Sequence, residues 1–127
     1  MTLLLQDLEI YTRSDKLSNR IWKLVSFWDP FAKFGIGKQL TSSVDSISIN
    51  IAEGYGRYFI KENIQFCYYS RGSLFEAKSW LNKSFQRDLI NQNDFDEIIN
   101  ELDLIHIKLN AYLKVLKQNL NKVNKPQ

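Results

Sequence analysis

The chain has 127 residues, 44% hydrophobic and 24% charged, which suffices for one compact domain, residues 1–127, with a buried core. Five glycines, two prolines and one cysteine are too few for the tight turns of an all-β sandwich or for a disulfide framework. Seventeen Lys and Arg against fourteen Asp and Glu give a net charge of +3, which permits nucleic-acid binding without requiring it. A helical fold is therefore favoured.

The first predicted helix lies near the N-terminus. Its apolar stripe consists of Leu17, Ile21, Leu24, Val25 and Trp28. The helix must end at Asp29-Pro30, because proline restricts the residue before it to extended geometry. A connection is then expected from about residue 29 to residue 35.

The segment from Ile36 to Gly54 fits two patterns. Apolar residues recur at helical spacing at Leu40, Val44, Ile47 and Ile51. Residues 46–51 also alternate as a strand would, but a single strand has no partner elsewhere in the chain. Gly54 is a natural residue for the end of a helix, so this segment is predicted to be the second helix.

The third predicted helix runs from about Ile60 to Arg87, with Gly72 as its only weak helix former. The fourth has the clearest periodicity, at Ile98, Leu102, Ile105, Leu109, Tyr112 and Leu116. Asn91 or Asn93 can cap its N-terminus, and Pro126 lies beyond its end.

Four helices with short connections imply antiparallel neighbours, so the predicted fold is all-α, an up-down-up-down four-helix bundle. No stretch approaches the ~20 apolar residues that span a bilayer, and the N-terminal apolar run is too short for a secretory signal. We therefore expect a soluble, cytoplasmic protein with no membrane partner.

Charge is distributed unevenly along the last helix. Six acids and no Lys or Arg lie between Asp88 and Asp103. Five lysines and no acid follow, at Lys108, Lys114, Lys117, Lys122 and Lys125. Acids at the start of a helix and bases at its end complement the helix dipole, which explains the pattern without a ligand.

Residues suited to catalysis are few. His106 is the only histidine, and it falls between core positions with no ligand-like Cys, Asp or Glu around it. Cys67, the lone thiol, lies in an apolar run typical of a core residue. Glu-x-x-His motifs and glycine-rich phosphate loops are absent from the sequence. We therefore expect no enzyme activity, metal, cofactor or small-molecule substrate.

Two blocks of sequence carry a family resemblance. Asn50 to Arg57 reads NIAEGYGR, and Ser70 to Leu74 reads SRGSL. Together with the segment from Leu40, they resemble the signature of the 23S rRNA intervening-sequence proteins, although Ser70 stands where alanine is usual. The resemblance covers about Ser14 to Gln118.

This resemblance implies a four-helix bundle. The family is also similar to the accessory protein of diversity-generating retroelements, a basic pentamer that engages nucleic acid and a reverse transcriptase. The resemblance therefore implies a homopentamer that binds RNA or an RNA-processing protein.

The matched residues Asn50, Glu53 and Gly54 also have a structural interpretation. Asn50 can bond carbonyls of the terminating turn, and Glu53 can hold Arg57 across it. Gly54 and Gly56 can adopt positive φ there. Structural capping of this turn is favoured over direct ligand contact.

The same turn also supports a functional hypothesis. Tyr55, Arg57, Tyr58 and Lys61 place two aromatic rings between basic residues, a pattern that suits stacking on unpaired bases with neutralisation of phosphates. The signal has low specificity, because exposed Tyr and Lys are common.

Arg71 lies on the apolar stripe of the third helix, where a charge must be paired or lie at an interface. We expect Asp45, or an acid of a neighbouring subunit, as its partner. Gly72 and Ser73 are expected to permit close approach of another helix. Phosphate binding by Arg71 is the less favoured alternative.

Aromatic residues, 13% of the chain, are concentrated on the third helix. Consecutive residues point all round a helix, so a single bundle interior cannot cover them all. A self-association surface is the preferred interpretation over surface tyrosines, and its candidate residues are Phe66, Tyr69, Phe75 and Trp80.

Two function classes remain. In the first, Lys114, Lys117 and Lys122 join Arg57 and Lys61 in an RNA-binding surface of a non-catalytic oligomer. In the second, the aromatic surface of the third helix docks a protein partner, and the lysines are solvated residues that balance the helix dipole.

Overall fold

A computed structural model of the protein describes residues 4–124. A 3-10 turn, Leu5–Asp7, precedes helix α1, Glu9–Ser26. One helical turn, α2, Pro30–Ala32, leads through a π-helical turn, Lys33–Gly37, into α3, Lys38–Tyr55. The remaining elements are α4, Ile60–Gln86, and α5, Gln92–Asn124.

Helices α1, α3, α4 and α5 form an antiparallel four-helix bundle, so the predicted all-α fold is confirmed. Ser18 of α1 donates a hydrogen bond to the carboxylate of Asp45 on α3. The buried hydroxyl of Ser70 on α4 donates to the carbonyl of Ile47 on α3, at 2.8 Å. No helix within residues 4–124 is long and apolar enough to cross a membrane.

The predicted apolar stripes form the core of the bundle. On α3, all four stripe residues are fully buried. On α5, Ile98, Leu102, Ile105 and Leu109 are fully buried, whereas Tyr112 is half-buried at the edge. Cys67 of α4 also lies in the core, as predicted, and burial raises the pKa of its thiol to about 12.

The connection predicted for residues 29–35 is largely helical, which corrects the sequence-based boundary. The Asp29 Oδ1 atom accepts a hydrogen bond from the backbone N–H of Ala32 at 3.2 Å, and Pro30 occupies the first helical position. Proline ends the preceding helix, but it is equally suited to the first turn of the next one. Asp29-Pro30 therefore begins a helix as well as ending one.

The end of α3 also differs from the prediction. No glycine within residues 4–124 has positive φ, so the expectation for Gly54 and Gly56 is wrong. The helix continues through Tyr55, and Gly56 caps it with a φ of −77°. Gly54 instead allows close packing, because a Cβ there would lie 2.6 Å from Asn63 Oδ1 and 2.9 Å from the Cβ of Phe66.

The start of α5 agrees with one of the two predicted caps. Asn91 Oδ1 accepts a hydrogen bond from the backbone N–H of Asp94 at 2.8 Å, which identifies Asn91 as the cap. Asp94 lies in the first turn, where an acid is favourable. Lys125 and Pro126 lie outside the described residues.

Two glycines of the motif blocks, Gly54 and Gly72, should respond oppositely to alanine. Gly54→Ala should destabilise the protein by roughly 1–3 kcal/mol, because the new methyl group overlaps atoms of α4. Gly72→Ala should stabilise it by up to about 1 kcal/mol, because no neighbouring atom lies within 4 Å and alanine favours a helix. Urea unfolding of both variants measures the difference, and equal effects would contradict this account of Gly54.

Candidate nucleic-acid interface

A basic groove lies between α4 and α5. Two of its cations contact the ring of Tyr68: Arg71 Cζ lies 4.9 Å and Lys117 Nζ 5.1 Å from the ring centroid. Lys114 lines the same groove, which has a volume of about 440 Å³. We call this site, defined by Arg71, Lys114 and Lys117, the basic groove.

The other groove residues are neutral. They are Asn110, Leu113, Gln118 and Asn121. No carboxylate lines the groove, and within residues 4–124 none of its three cations forms an ion pair. Arg71 Nη1 donates to the amide oxygen of Asn110 at 3.0 Å, which leaves its positive charge uncompensated. The groove is therefore suited to an anionic group.

Helix geometry places these side chains together. Tyr68 and Arg71 are three residues apart on α4, and Lys114 and Lys117 are three apart on α5, so each pair shares one helix face. Further polar contacts fix the register between the two helices. Asn63 Nδ2 donates to the hydroxyl of Tyr112 at 3.1 Å, and Lys78 forms an ion pair with Asp103.

The position of Arg71 differs from the sequence-based expectation. Asp45, its expected intrachain partner, accepts a hydrogen bond from Ser18 instead. Gly72 does not mediate close helix approach within the chain, since its position is exposed with nothing within 4 Å of a Cβ, and Ser73 is half-buried. Arg71 therefore belongs to a surface groove rather than to a buried ion pair.

The α3–α4 turn forms a separate group. Arg57 Nη2 lies 3.4 Å from Glu53 Oε2, as predicted, and its guanidinium carbon lies 4.9 Å from the centroid of Phe66. Asn50 Nδ2 donates to the carbonyl of Ser46 at 2.8 Å, one turn back in α3 rather than in the terminating turn. Arg57 thus has an intrachain carboxylate partner.

The aromatic and basic residues predicted around this turn differ in exposure. Tyr58 is exposed and packs edge-on against Phe59, with centroids 5.0 Å apart. Tyr55 is partly buried against the core, and Lys61 is exposed. Lys122 is exposed towards the end of α5.

Two basic residues of the predicted RNA surface, Arg57 and Lys117, contact rings on different sides of α4. Arg57 contacts Phe66, whereas Lys117 contacts Tyr68. Two residues apart on a helix correspond to a rotation of about 200°, so these rings point to opposite sides. Lys114 and Lys117 have Arg71 as their near neighbour instead of Arg57. The i, i+3 spacing of Tyr68 and Arg71 was the sequence signal for this arrangement.

The predicted self-association residues also lie in more than one place. Phe66 and Tyr69 pack edge-on with centroids 5.5 Å apart, next to α3. Phe75 packs edge-on against His106 of α5, at 5.0 Å. Tyr69 and Phe75 are 51% and 52% exposed, whereas Trp80 packs partly buried against the core.

A larger groove, of about 830 Å³, separates α1 from α5, but its charges neutralise one another. Arg13 lies 2.8 Å from Glu9 and 3.0 Å from Glu101, measured between nitrogen and oxygen. Arg20 pairs with Glu97 at 2.5 Å. Hydrogen bonds from Arg13 and Lys108 lower the pKa of Glu9, so its carboxylate stays charged. This groove offers no net charge to a ligand.

The family model described as 23S rRNA-intervening sequence protein matches residues 6–111. The chain belongs to this family. Among curated proteins, none matches the chain.

A solved structure is similar to this member of the family. It is a crystal structure of a protein with unknown function from the S23 ribosomal protein family of Bacteroides thetaiotaomicron VPI-5482. The TM-score is 0.77 at 24% sequence identity, over 83% of this chain and 95% of that chain. A likeness at this identity shows the shared fold.

The single histidine of this family member, His106, lies on α5. His106 is half-buried, and burial together with the positive charges of Lys78 and Arg71 lowers the pKa of its imidazole. Among residues 4–124, no group of three or more His, Cys, Asp or Glu side chains is arranged to hold a metal ion. The basic groove is the strongest candidate for a functional site.

Proposed function

We propose that this protein is a non-catalytic, oligomeric accessory protein that binds RNA, with phosphates held in the basic groove. The observation that carries the proposal is the convergence of Arg71, Lys114 and Lys117 on one groove without a carboxylate to neutralise them. Arginine and lysine side chains that neutralise phosphates supply most of the affinity of sequence-independent nucleic-acid binding.

The side chains around the charges support RNA as the occupant. The amides of Asn110, Gln118 and Asn121 line the groove and can both donate and accept hydrogen bonds. Such groups suit the 2′-hydroxyls and base edges that RNA presents beside its phosphates. The family name, which refers to intervening sequences in 23S rRNA, is consistent with this choice.

Oligomerisation is the second part of the proposal. Tyr69 and Phe75 leave about half of their surfaces uncovered on α4. Exposed aromatic residues of this kind are enriched at protein interfaces. A closed ring would also repeat the basic groove around one rim, so that a long RNA meets several grooves at once and binds more tightly than to one chain.

The oligomer has a direct test. Purified protein at micromolar concentration should have the light-scattering mass of a closed assembly, and a pentamer is the expected form. Tyr69→Glu should dissociate it and leave the helical circular dichroism unchanged, because the charge would be buried in the interface but exposed in the monomer. A monomer mass for the wild-type protein would refute this part of the proposal.

Fluorescence anisotropy tests RNA binding itself. A labelled hairpin and a labelled single strand should both bind at low salt and dissociate as the salt concentration rises. If neither RNA binds at low salt, the protein-interaction function through the aromatic residues of α4 is the remaining candidate, because apolar docking is nearly indifferent to salt.

A further inference from the structure

A second unusual surface lies where α1 ends and α2 begins. Phe27, Phe31 and Phe34 are 90%, 93% and 72% exposed, and Trp22 is 64% exposed. We call these four residues the aromatic end. Phe27 and Phe31 are, with Tyr58, the most exposed large hydrophobic side chains between residues 4 and 124.

The aromatic end lies on a closely packed corner of the fold. Asp29 caps α2, and Trp28 packs partly buried against the core. A Cβ at Gly37 would lie 2.7 Å from Val25 Cγ1 and 3.3 Å from Trp28 Cε3, so the π-helical turn is pressed closely against the end of α1. The exposed rings are thus held outwards by the fold.

The charged residues of this segment, residues 22–38, are three lysines and Asp29. Lys23, Lys33 and Lys38 occur within the same segment, and no ion pair to any of them exists within residues 4–124. Lys33 Nζ lies 5.8 Å from the centroid of Phe34. The carboxylate of Asp29 is engaged by the backbone of α2. Three lysines against one aspartate favour an occupant that offers negative charge together with flat or apolar groups.

The rings are separate rather than clustered. Within the described part of the chain, no ring-to-ring contact joins any two of the four residues. Separate ring faces next to lysines are the pattern on which successive unpaired bases stack while their phosphates are neutralised. Symmetric docking of a second copy would instead bring like-charged lysines together.

We infer that the aromatic end is a stacking platform for single-stranded nucleic acid. The bases stack on Phe31 and Phe34, and Lys23, Lys33 and Lys38 neutralise the backbone. This surface is distinct from the basic groove. Arg20 is two residues before Trp22 of the aromatic end, and it pairs with Glu97 near the start of α5. Lys117 of the basic groove lies twenty residues further along α5, a distance of about 30 Å. The inference rests on the proposed nucleic-acid binding but not on the groove.

The test uses a labelled, unstructured oligo(U) of about 15 nucleotides, its oligo(dT) counterpart and a blunt RNA duplex of the same length. Phe31→Ala with Phe34→Ala should weaken binding of both single strands by about tenfold per ring and leave duplex binding unchanged. The salt dependence should stay the same, because no charge is removed. Ile107→Ala, at an apolar position of α5 that is 66% exposed, is the matched control and should have no effect.

Leucine variants separate stacking from general apolar contact. Phe31→Leu with Phe34→Leu keeps apolar surface but removes the ring faces, so single-strand binding should fall as in the alanine variant. Wild-type affinity in either double variant would overturn the inference. A drop in light-scattering mass of the alanine variant would also overturn it, because the surface would then join copies of the chain.

The groove variant Arg71→Ala, Lys114→Ala and Lys117→Ala is measured in parallel. If it loses RNA binding while the phenylalanine variants bind normally, the stacking platform is wrong and the proposed function stands. If only the phenylalanine variants lose binding, the groove is wrong and the platform stands. If the wild-type protein binds none of the three probes, both are wrong.

Discussion

Replacing Ile105 by alanine will lower the free energy of unfolding by about 2–5 kcal/mol. Ile105 is fully buried in the middle of the α5 stripe, between Leu102 and Leu109, which are fully buried as well. The substitution removes apolar contacts and leaves a cavity that a close-packed bundle fills only in part. Urea unfolding followed by circular dichroism measures the loss.

His106→Gln, at the adjacent position, is the matched control. His106 is half-buried and contacts Phe75 edge-on, and its lowered pKa keeps the imidazole neutral near pH 7. We therefore expect His106→Gln to lower the free energy of unfolding by less than about 1 kcal/mol, as substitutions near the surface usually do. A loss as large as that of Ile105→Ala, or loss of a bound metal, would show that His106 has a role that this account does not give it.

Removing the three charges of the basic groove will have the largest effect on RNA binding. Arg71→Ala, Lys114→Ala and Lys117→Ala together should weaken binding of an RNA hairpin at low salt by about a thousandfold or more, since each charge-assisted contact is worth roughly 1.5–3 kcal/mol. All three residues lie at the groove surface, so the fold should be retained. Fluorescence anisotropy measures the affinity.

A control variant removes the same charge elsewhere. Lys16→Ala, Lys83→Ala and Arg87→Ala change exposed residues outside the basic groove, and this variant should bind RNA within a fewfold of the wild-type protein. Arg57→Ala should likewise have a small effect, because Arg57 is paired with Glu53. Equal losses in the control and groove variants would indicate binding to net charge and not to the groove.

The bundle could be predicted from the sequence because apolar stripes and helix caps are local, periodic patterns of residues. The α5 stripe and the Asn91 cap follow from residue spacing and from capping chemistry. The helical start at Asp29-Pro30 was missed because the same dipeptide both ends one helix and begins another. Local patterns do not decide between these roles.

The candidate site was only partly predictable. Lys114 and Lys117 were selected from the charge pattern of the last helix, but their near neighbour depends on the rotation of α4 against α5. This rotation places Arg71 beside Lys117, and the ring of Tyr68 contacts both. Asp45 of α3, the expected partner of Arg71, accepts a hydrogen bond from Ser18 instead. Side-chain pairing between helices is tertiary information, so a helical pattern alone cannot supply it.

The salt dependence of RNA affinity tests the basic groove most directly. A plot of log Kobs against log salt concentration should be steep for the wild-type protein. Each phosphate contact contributes about one unit to the slope, so the groove variant should have a slope smaller by roughly three units per bound monomer. Equal slopes in the two proteins, or no binding of RNA by the wild-type protein at low salt, would contradict the proposed function.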